Sequence, residues 1–594
     1  MANQSFSNTL LVEVSGAPLP PELAVLMTYA YVDDSRVLPD MFVLRFRDPG
    51  RTVLDKTGLQ VGTPVRLRVQ TSDSPSPELL ISGEVTALSV DVDSTGTVTE
   101  VRGYDQSHRL FRGRQVAAYA NMGVGEVVRK VATRAGLPVG TVDSLGSPPA
   151  DSEITQDNLT DWEFLQRLAD ATGAELAVAD GKLSFRKPTK PAAPDTTARA
   201  RQNPLVLEAG QNLMSVRATV SSAEQVKQVE VRGWDYLTKQ AVTATAPAET
   251  TSAELPGVTP GALAGSFGNG TFRATDVPYR THGDAQAAAK ALAAQIAGAF
   301  AEIEGVAKGN PKLRAGSSVS LSAVGKPFEG KYTLTSTRHL FSEEAGYSTA
   351  FTVSGRQERS LYGLTHGGHQ GNGRDTASGL VTAIVTDARD PRKLGRVKLT
   401  FPWLADDYAS GWARTVQVGA GQNRGAMILP EVGDEVLVGF EQGDFDSPYV
   451  LGGLYNGADV PASGSYELID ANSGQINGRR LVSRTGHRLE LAETPGAANG
   501  VRLVTGDGKN SLELDSKGTK VTLHSDGTVL IEAKRGMTID AGTGPLELKG
   551  TSVSIKATAA ASLEGATVSV KGQASAELKA AGPVTVQGAI VKIN

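Results

Sequence analysis

Apolar and polar residues alternate with a period of two along roughly the first 120 residues of the chain. Such alternation is typical of strands that bury one face in a core. Four stretches show it most clearly: TLLVEV, MFVLRF, PVRLRVQ and LLISGEV. The N-terminal part of the chain is therefore predicted to be rich in β-strands.

Three later segments repeat their apolar residues with the period of a helix. The first carries Val124, Val127, Val128 and Val131 on one face. The second begins with Thr160 and Glu163, which form a capping box in sequence, and Gly173 is expected to end it. The third is predicted from residue 284 to about 304, with apolar positions at Leu292, Ile296, Phe300 and Ile303.

A short motif, Val-Arg-Gly-aromatic-Asp, occurs at residues 101–105 and again at residues 231–235. In both places a strand is expected to end in a turn. Two related β-barrels within one domain would produce such a repeat. Residues 1–362 are accordingly predicted to hold two β-barrels and the helical insertions.

A second barrel type is predicted after residues 363–379, whose composition is that of a flexible linker. Six short strands separated by turns follow: GLVTAIVTD, GRVKLTF, ARTVQVGAG, AMILP, DEVLVGFEQG and PYVLGGLYNG. Their number and spacing favour a small closed barrel of the oligonucleotide/oligosaccharide-binding (OB) type over residues 380–460.

The last hundred residues repeat an apolar–x–apolar triplet about every eight residues. The pairs are Leu512/Leu514, Val521/Leu523, Val529/Ile531, Met537/Ile539, Leu546/Leu548, Val553/Ile555, Ala561/Leu563, Val568/Val570, Ala576/Leu578, Val584/Val586 and Val591/Ile593. Because residues i and i+2 share a strand face, each repeat presents two apolar side chains on one side.

One chain cannot bury so narrow a stripe, and a meander folded back on itself would place polar residues inside. Three copies wound into a prism can bury it. Residues 487–594 are therefore predicted to form the needle of a homotrimer, a triple-stranded β-helix roughly 50 Å long at one strand step per repeat. Residues 461–486 are the neck before it.

Several of these motifs resemble spike proteins of contractile injection systems, the VgrG type of type VI secretion and its phage-tail relatives. MILPEVGDEVLVGFEQGDFDSPYVLGGLYNG looks like their OB barrel, and residues 101–137 and 156–187 look like the late-control-D hub domain of phages. The motif at residues 229–242 is similar to that hub's second barrel. The order of hub, barrel and needle agrees along nearly the whole chain, and residues 8–49 look most like extracellular injection systems.

The resemblance implies a set of partners. Three chains with two hub barrels each would give six barrels, which would dock a threefold spike onto a sixfold inner tube. Baseplate components would contact the same end. A small PAAR-repeat protein carrying its own metal would cap the needle tip, with predicted contacts at Val584, Val586, Ile590, Val591 and Ile593. The target membrane would be contacted only transiently.

Composition narrows the classes of function. The net charge of −5 disfavours nucleic acid, and residues 378–460 hold seven Arg/Lys against eleven Asp/Glu. The chain has no cysteine, so disulfides and thiolate metal sites are excluded. No signal peptide or membrane-spanning segment is expected. The protein is predicted to assemble in the bacterial cytoplasm as part of a phage-tail-like particle. Where such particles are released, the protein would leave the cell with them.

Two candidate sites need to be weighed. Five carboxylates surround one barrel strand: Glu431, Asp434, Glu435, Glu441 and Asp444. They are either paired acids for glycoside hydrolysis or the solvated ends of a barrel strand, and the absence of accompanying pocket residues favours the second reading. His366 and His369 lie in the linker, where two ligands do not make a metal site. No catalytic, cofactor or metal residue is predicted.

The favoured hypothesis is a non-enzymatic trimeric spike that punctures a membrane when a sheath contracts. The alternatives are a tail-associated cell-wall hydrolase and a trimeric receptor-binding fibre. Only about 25 residues separate barrel from needle, and the repeats run to Asn594. Neither an inserted enzyme nor a globular head is therefore expected.

Overall fold

The computed structural model describes residues 8–593 except 73, 146–152, 180, 356–378, 406, 465 and 495–498. The chain divides into two compact units, residues 1–461 and 462–594. Strands account for 39% of the structure and helices for 12%. The predicted class, mainly β and multidomain, is confirmed.

The first β-module covers residues 8–105. Its elements are β1 (Asn8–Val14), β2 (Ala17–Pro18), α1 (Pro21–Ala24), β3 (Met27–Ser35), β4 (Met41–Arg47), α2 (Val53–Thr57), β5 (Pro64–Thr71), β6 (Glu78–Asp93) and β7 (Gly96–Asp105). The alternating residues of these strands form one core, in which Phe42, Phe46, Leu67 and Leu80 are fully buried.

A helical insert follows. Its elements are β8 (Gln115–Ala120), α3 (Val124–Arg134), β9 (Val139–Val142), β10 (Glu153–Leu159), α4 (Asp161–Thr172), β11 (Glu175–Ala179) and β12 (Lys182–Arg186). The capping box of α4 is confirmed: Glu163 N donates to Thr160 Oγ1 at 3.2 Å, and Thr160 N donates to Glu163 Oε2 at 2.9 Å. Gly173 ends the helix in the left-handed region, as its lack of a side chain allows.

The remainder of the hub region begins with β13 (Val206–Glu208). It continues with β14 (Leu213–Val220), β15 (Gln228–Asp235), β16 (Gln240–Pro247), β17 (Ala253–Glu254), α5 (Pro260–Gly265), β18 (Thr271–Ala274), α6 (His282–Gly298), β19 (Ala301–Lys308), β20 (Ser318–Ser322), β21 (Gly330–Thr333), β22 (Ser336–Ser342) and β23 (Gly346–Val353). We call β13, β14, β17 and β19–β23 the second β-module.

One sheet of eleven strands joins the two β-modules, in the order β14-β19-β23-β22-β3-β4-β7-β6-β5-β1-β2. It crosses from one module to the other at the antiparallel pair β22–β3, where Arg338 lies opposite Asp33. The second module has its own core, which includes Phe300, Tyr332 and Phe351. The two predicted β-structures therefore have separate cores and a shared sheet.

The predicted third helix is wrong at its C-terminal end. Helix α6 stops at Gly298. Phe300 lies in the turn before β19 and Ile303 lies within β19, although both continue the helical spacing. The buried face of α6 is formed mainly by alanines, which lie against β15 and β16. Alanine differs little in hydrophobicity from the residues around it, so the buried face of α6 gives a weak helical pattern. The large apolar residues after the helix happen to follow the same spacing.

The interpretation of the repeated motif also needs correction. Residues 101–105 lie in β7 of the eleven-stranded sheet, whereas residues 231–235 lie in β15 of a separate sheet, β16-β15-β18. What the copies share is local. A Cβ on Gly103 or Gly233 would meet a backbone oxygen at 2.3 or 2.0 Å, respectively. In each copy the glycine leaves room for a neighbouring main chain, and the two copies lie in different sheets.

The OB barrel contains β24 (Val381–Asp387), β25 (Lys398–Thr400), β26 (Arg414–Thr415), β27 (Ala420–Gly421), β28 (Arg424–Gly425), β29 (Glu435–Phe440) and β30 (Pro448–Gly453). Five strands pair in the order β25-β24-β29-β30-β26. A bridge between Val397 and Ala413 connects the two ends and closes the barrel. AMILP is not a strand: Met427 and Ile428 are exposed in a loop, where Ile428 N donates to Gln417 Oε1 at 2.7 Å.

The second compact unit begins with an antiparallel meander of five strands. They are β31 (Gly478–Val482), β32 (Arg488–Glu493), β33 (Asn499–Val504), β34 (Asn510–Asp515) and β35 (Lys520–Ser525). The sequence analysis excluded a folded-back meander for the repeats, and for the first two repeats that was wrong. Leu512 pairs with Leu523 and Leu514 with Val521 across β34–β35, because both apolar pairs lie on one face and leave the other face polar.

Candidate assembly site

The repeats after the meander expose their apolar side chains. Every Val, Leu, Ile and Met side chain from residue 529 to residue 593 is between 48% and 90% exposed. They include the predicted tip contacts, Val584 (48%), Val586 (65%), Ile590 (78%), Val591 (50%) and Ile593 (90%). A stripe of this length is far larger than the scattered surface apolar residues of a soluble monomer.

The main chain of the same segment also has no strand partner among the described residues. Among the described residues 527–593 no strand is formed, and the one main-chain to main-chain hydrogen bond is that from Gly544 N to Ala541 O at 2.9 Å. Extended backbone with free N–H and C=O groups is a template for pairing with another chain. Strand pairing with further copies would cover the stripe and satisfy these groups together.

Four of the five carboxylates of the OB barrel make structural contacts. Asp434 accepts from Glu431 N at 2.8 Å, Glu435 from Asn456 Nδ2 at 2.7 Å, and Asp444 from Ser447 Oγ at 2.8 Å. Glu441 Oε2 lies 3.7 Å from a guanidinium nitrogen of Arg280. Turn formation and pairing with a neighbouring layer explain these residues, in agreement with their interpretation as barrel architecture.

The OB barrel docks on the hub region through a contact that the sequence analysis missed. Tyr236 follows β15 and lies between the guanidinium groups of Arg280 (5.2 Å) and Arg414 (4.7 Å). Arg396 Nη1 donates to Tyr236 Oη at 3.4 Å. Arg396 donates to the carboxylate of Asp390. Burial alone would raise the pKa of Asp390, but the guanidinium and several main-chain N–H groups hold this pKa below its ordinary value. No pattern in the sequence pairs a tyrosine at 236 with an arginine at 414.

A second contact joins the same barrel to the strand pair β8–β10. Tyr408 is buried, and its hydroxyl lies 3.4 Å from Thr155 Oγ1. Glu153, at the start of β10, faces Asp446 and Lys398 of the barrel. Burial, together with the charge of Asp446, raises the pKa of Glu153 to about 7. The two contacts hold the barrel against the hub region on two sides.

A cavity of about 1160 Å³ lies where the two β-modules meet. Arg338 and Asp33 line it as an ion pair, with Nη2 and Oδ2 2.7 Å apart. Behind them Arg314 of the second module pairs with Asp34 and donates from Nη1 to Leu79 O at 3.0 Å, so that it links both modules. Burial raises the pKa of the neighbouring Asp105 to about 6, and the pKa of Asp40 also lies well above its ordinary value.

Other predicted features can be placed more briefly. His366, His369 and all of the linker except Gly379 lie outside the described residues. Within the described residues no group of three or more His, Cys, Asp or Glu side chains could hold a metal ion. In that same part of the chain no helix has the length and hydropathy needed to cross a membrane.

Comparison with known families matches residues 381–455 to the type VI secretion system/phage-baseplate injector OB domain. This is the segment that forms the five-stranded barrel. A weak match of residues 68–343 to the Alg8 N-terminal domain begins inside strand β5 and ends one residue after β22. It therefore does not follow the module boundaries of the fold.

The curated relatives include the type VI secretion system spike proteins VgrG1b and VgrG1a of Pseudomonas aeruginosa. VgrG1b is 34% identical over 152 residues, which is 25% of this chain and 19% of the relative. VgrG1a is 34% identical over 128 residues, 21% of this chain and 18% of the relative. The matched segments thus span about a fifth of the length of these relatives.

Among solved structures, a chain of the half-lidded Francisella PdpA–VgrG complex is similar over 88% of this chain and 88% of its own length. The TM-score is 0.51 and the identity is 10%, so the likeness concerns the fold. It extends over both hub and barrel, whereas the family model covers the barrel alone. Residues 381–455 thus match the injector OB-domain family, about a quarter of the chain is similar in sequence to VgrG-type spike proteins, and the fold resembles that of a VgrG complex chain, as the motifs indicated.

Proposed function

We propose that this protein is the homotrimeric spike and hub of a contractile injection system. The observation that carries the proposal is the stripe of exposed apolar pairs after residue 526, which has no strand partner within the described chain. Burying such a stripe between copies gains roughly 25 cal/mol for each Å² of apolar surface covered. Over the nine repeats after residue 526 that is ample driving force for assembly.

The hub region supports the role of a symmetry adaptor. Each chain carries two β-modules with separate cores within one continuous sheet. Three chains would present six such modules to a sixfold inner tube. Among the described residues the edge strand β14 has one strand partner, β19, and beyond the bridge from Leu213 to Ala209 its other side is available for contact with neighbouring subunits.

The proposed mechanism is mechanical and non-enzymatic. Contraction of a sheath drives tube and spike forward, and a stiff needle concentrates the force on a small area of the target membrane. The chain itself supplies neither a cofactor nor a metal. A PAAR-type tip protein carrying its own metal covers Val584, Val586, Ile590, Val591 and Ile593, and the inner tube protein and baseplate components contact the hub end. Assembly takes place in the bacterial cytoplasm as part of the particle.

The needle role is tested by removing residues 487–594 in cells that build the particle. The shortened protein is expected to lose trimeric tips, and its particles should not inject. Normal injecting particles would refute the needle role. A peptidoglycan zymogram of the purified full chain tests the rival hydrolase, and no clearing is expected.

A further inference from the structure

The five-stranded meander β31–β35 has its charged face buried around Glu490 and its apolar face open. Glu490 is fully buried in the middle of the charged face, with Arg480 Nε 3.0 Å and Arg488 Nε 3.5 Å from its Oε1. Arg480 donates to the carbonyls of Ala462 and Tyr466, so the neck segment lies over this face. A stable sheet normally buries its apolar face instead.

The open face is a nearly continuous apolar surface of two rows. In the pairing register one row is Leu481, Leu489, Leu503, Leu512 and Leu523, and the other is Arg479, Leu491, Val501, Leu514 and Val521. Exposures reach 56% at Leu481, 48% at Leu503 and 68% at Val521. We call these two rows the neck face. Only Arg479 and Leu481 lie in the neck itself, and the other residues lie at the start of the segment predicted as needle.

The neck face continues directly into the apolar stripe of the needle. Leu512/Leu514 and Val521/Leu523 are the first two pairs of the eight-residue repeat, and Val529/Ile531 is the third. The occupant of the neck face is therefore the same as that of the stripe, namely other copies of this chain.

The repeats by themselves do not fix the alignment of three chains. If one chain slips by a single repeat, apolar pairs still meet apolar pairs, and only the ends lose contacts. Sequences that look alike after a shift specify register weakly. In the meander, by contrast, Leu489, Val501, Leu512 and Val521 are separated by 12, 11 and 9 residues. No shift maps this irregular surface onto itself.

We propose that the neck face packs against the neck faces of the other two copies and sets the register of the three chains. The proposal rests on the trimer of the proposed function and adds the element that aligns it. The meander forms within one chain, so it is available before the needle is wound. The needle then extends from an aligned start.

A spin label reports the register, because the chain contains no cysteine and a single engineered one is labelled uniquely. Ser554 lies between Val553 and Ile555 and points to the opposite side, so Ser554→Cys places a label on the polar side of a repeat. In an aligned trimer the three labels give one narrow distance by pulsed electron paramagnetic resonance. Each slipped repeat displaces one label by about 5 Å along the axis and adds longer distances.

The test combines this label with Leu491→Thr, Leu503→Thr and Leu514→Thr in the full-length chain. The matched control carries Ile539→Thr, Leu548→Thr and Val570→Thr, which remove the same number of exposed aliphatic residues from the needle. Both proteins are first shown to be trimers by light scattering. We expect several distances for the neck variant and a single narrow one for the control.

A single narrow distance in the neck variant would contradict the register role of the neck face but not the trimer. If the triple variant is no longer trimeric, Leu503→Ala is measured in its place and read in the same way. A monomeric wild-type chain would contradict the proposed function itself. The two failures are therefore distinguishable.

Discussion

At the scale of single residues, Glu490 offers a direct test of the buried charge cluster. Its carboxylate is fully buried, so Glu490→Gln removes the charge that faces the buried guanidinium of Arg480. Breaking a buried ion pair in this way costs about 3–5 kcal/mol. We expect faster hydrogen–deuterium exchange in β31–β33. The control Glu493→Gln removes an exposed pair with Arg479, worth about 0–1 kcal/mol, and should leave exchange unchanged. Equal protection in both variants would contradict this account.

Asp105 makes the stability of the hub region depend on pH. Burial raises its pKa in the folded protein to about 6, against an ordinary value of 3.8. The folded state therefore holds more protons than the unfolded one between these values, and stability falls as pH rises from about 4 to about 6. Asp105→Asn should remove this part of the pH dependence and raise the melting temperature above pH 6. A variant whose melting temperatures parallel those of the wild type across this range would rule the effect out.

At the scale of elements, the cap of α4 has a measurable contribution. Thr160→Ala removes the acceptor for Glu163 N, and the loss of such a cap costs about 1 kcal/mol. Thr133→Ala in α3 is the control, because its hydroxyl only bonds back to Arg129 O. The expected result is a lower denaturant midpoint for the first variant alone, followed by tryptophan fluorescence. Indistinguishable midpoints would mean that the cap is not needed.

Elements with strong local signals could be predicted from the sequence. The alternating strands of the first β-module and the capped helix α4 are of this kind. The end of α6 could not be predicted, because its buried alanines carry little contrast and Phe300 extended the period into a strand. The Tyr236–Arg414 contact could not be predicted either, because it depends on how the OB barrel docks on the hub region. The meander was missed because apolar residues on one open face look like needle repeats.

The contact between the OB barrel and the hub region is open to test at Tyr236. Tyr236→Ala removes the ring that lies between Arg280 and Arg414, and each cation–π contact contributes about 0.5–2 kcal/mol. We expect increased protease sensitivity at the boundaries of the OB barrel with little change in the fold. Tyr455→Ala, at a site 74% exposed, is the control. Unchanged digestion of the Tyr236 variant would show that the barrel is held by other contacts.

The whole molecule carries a long apolar surface between residues 478 and 593. One copy leaves it in water, together with the unpaired main chain of the needle repeats. Around Glu490 the charged face of the meander is already covered by its own neck, whereas the apolar face is open to further copies. We therefore propose that association with further copies completes the fold of this segment.

The most direct measurement is the mass of the purified full-length protein in solution by light scattering. The account predicts a stable species near three times the chain mass of 62.0 kDa. It also predicts that this species persists on dilution, since the buried stripe is long. A soluble, compact and well-ordered monomer of 62.0 kDa would contradict the central claim.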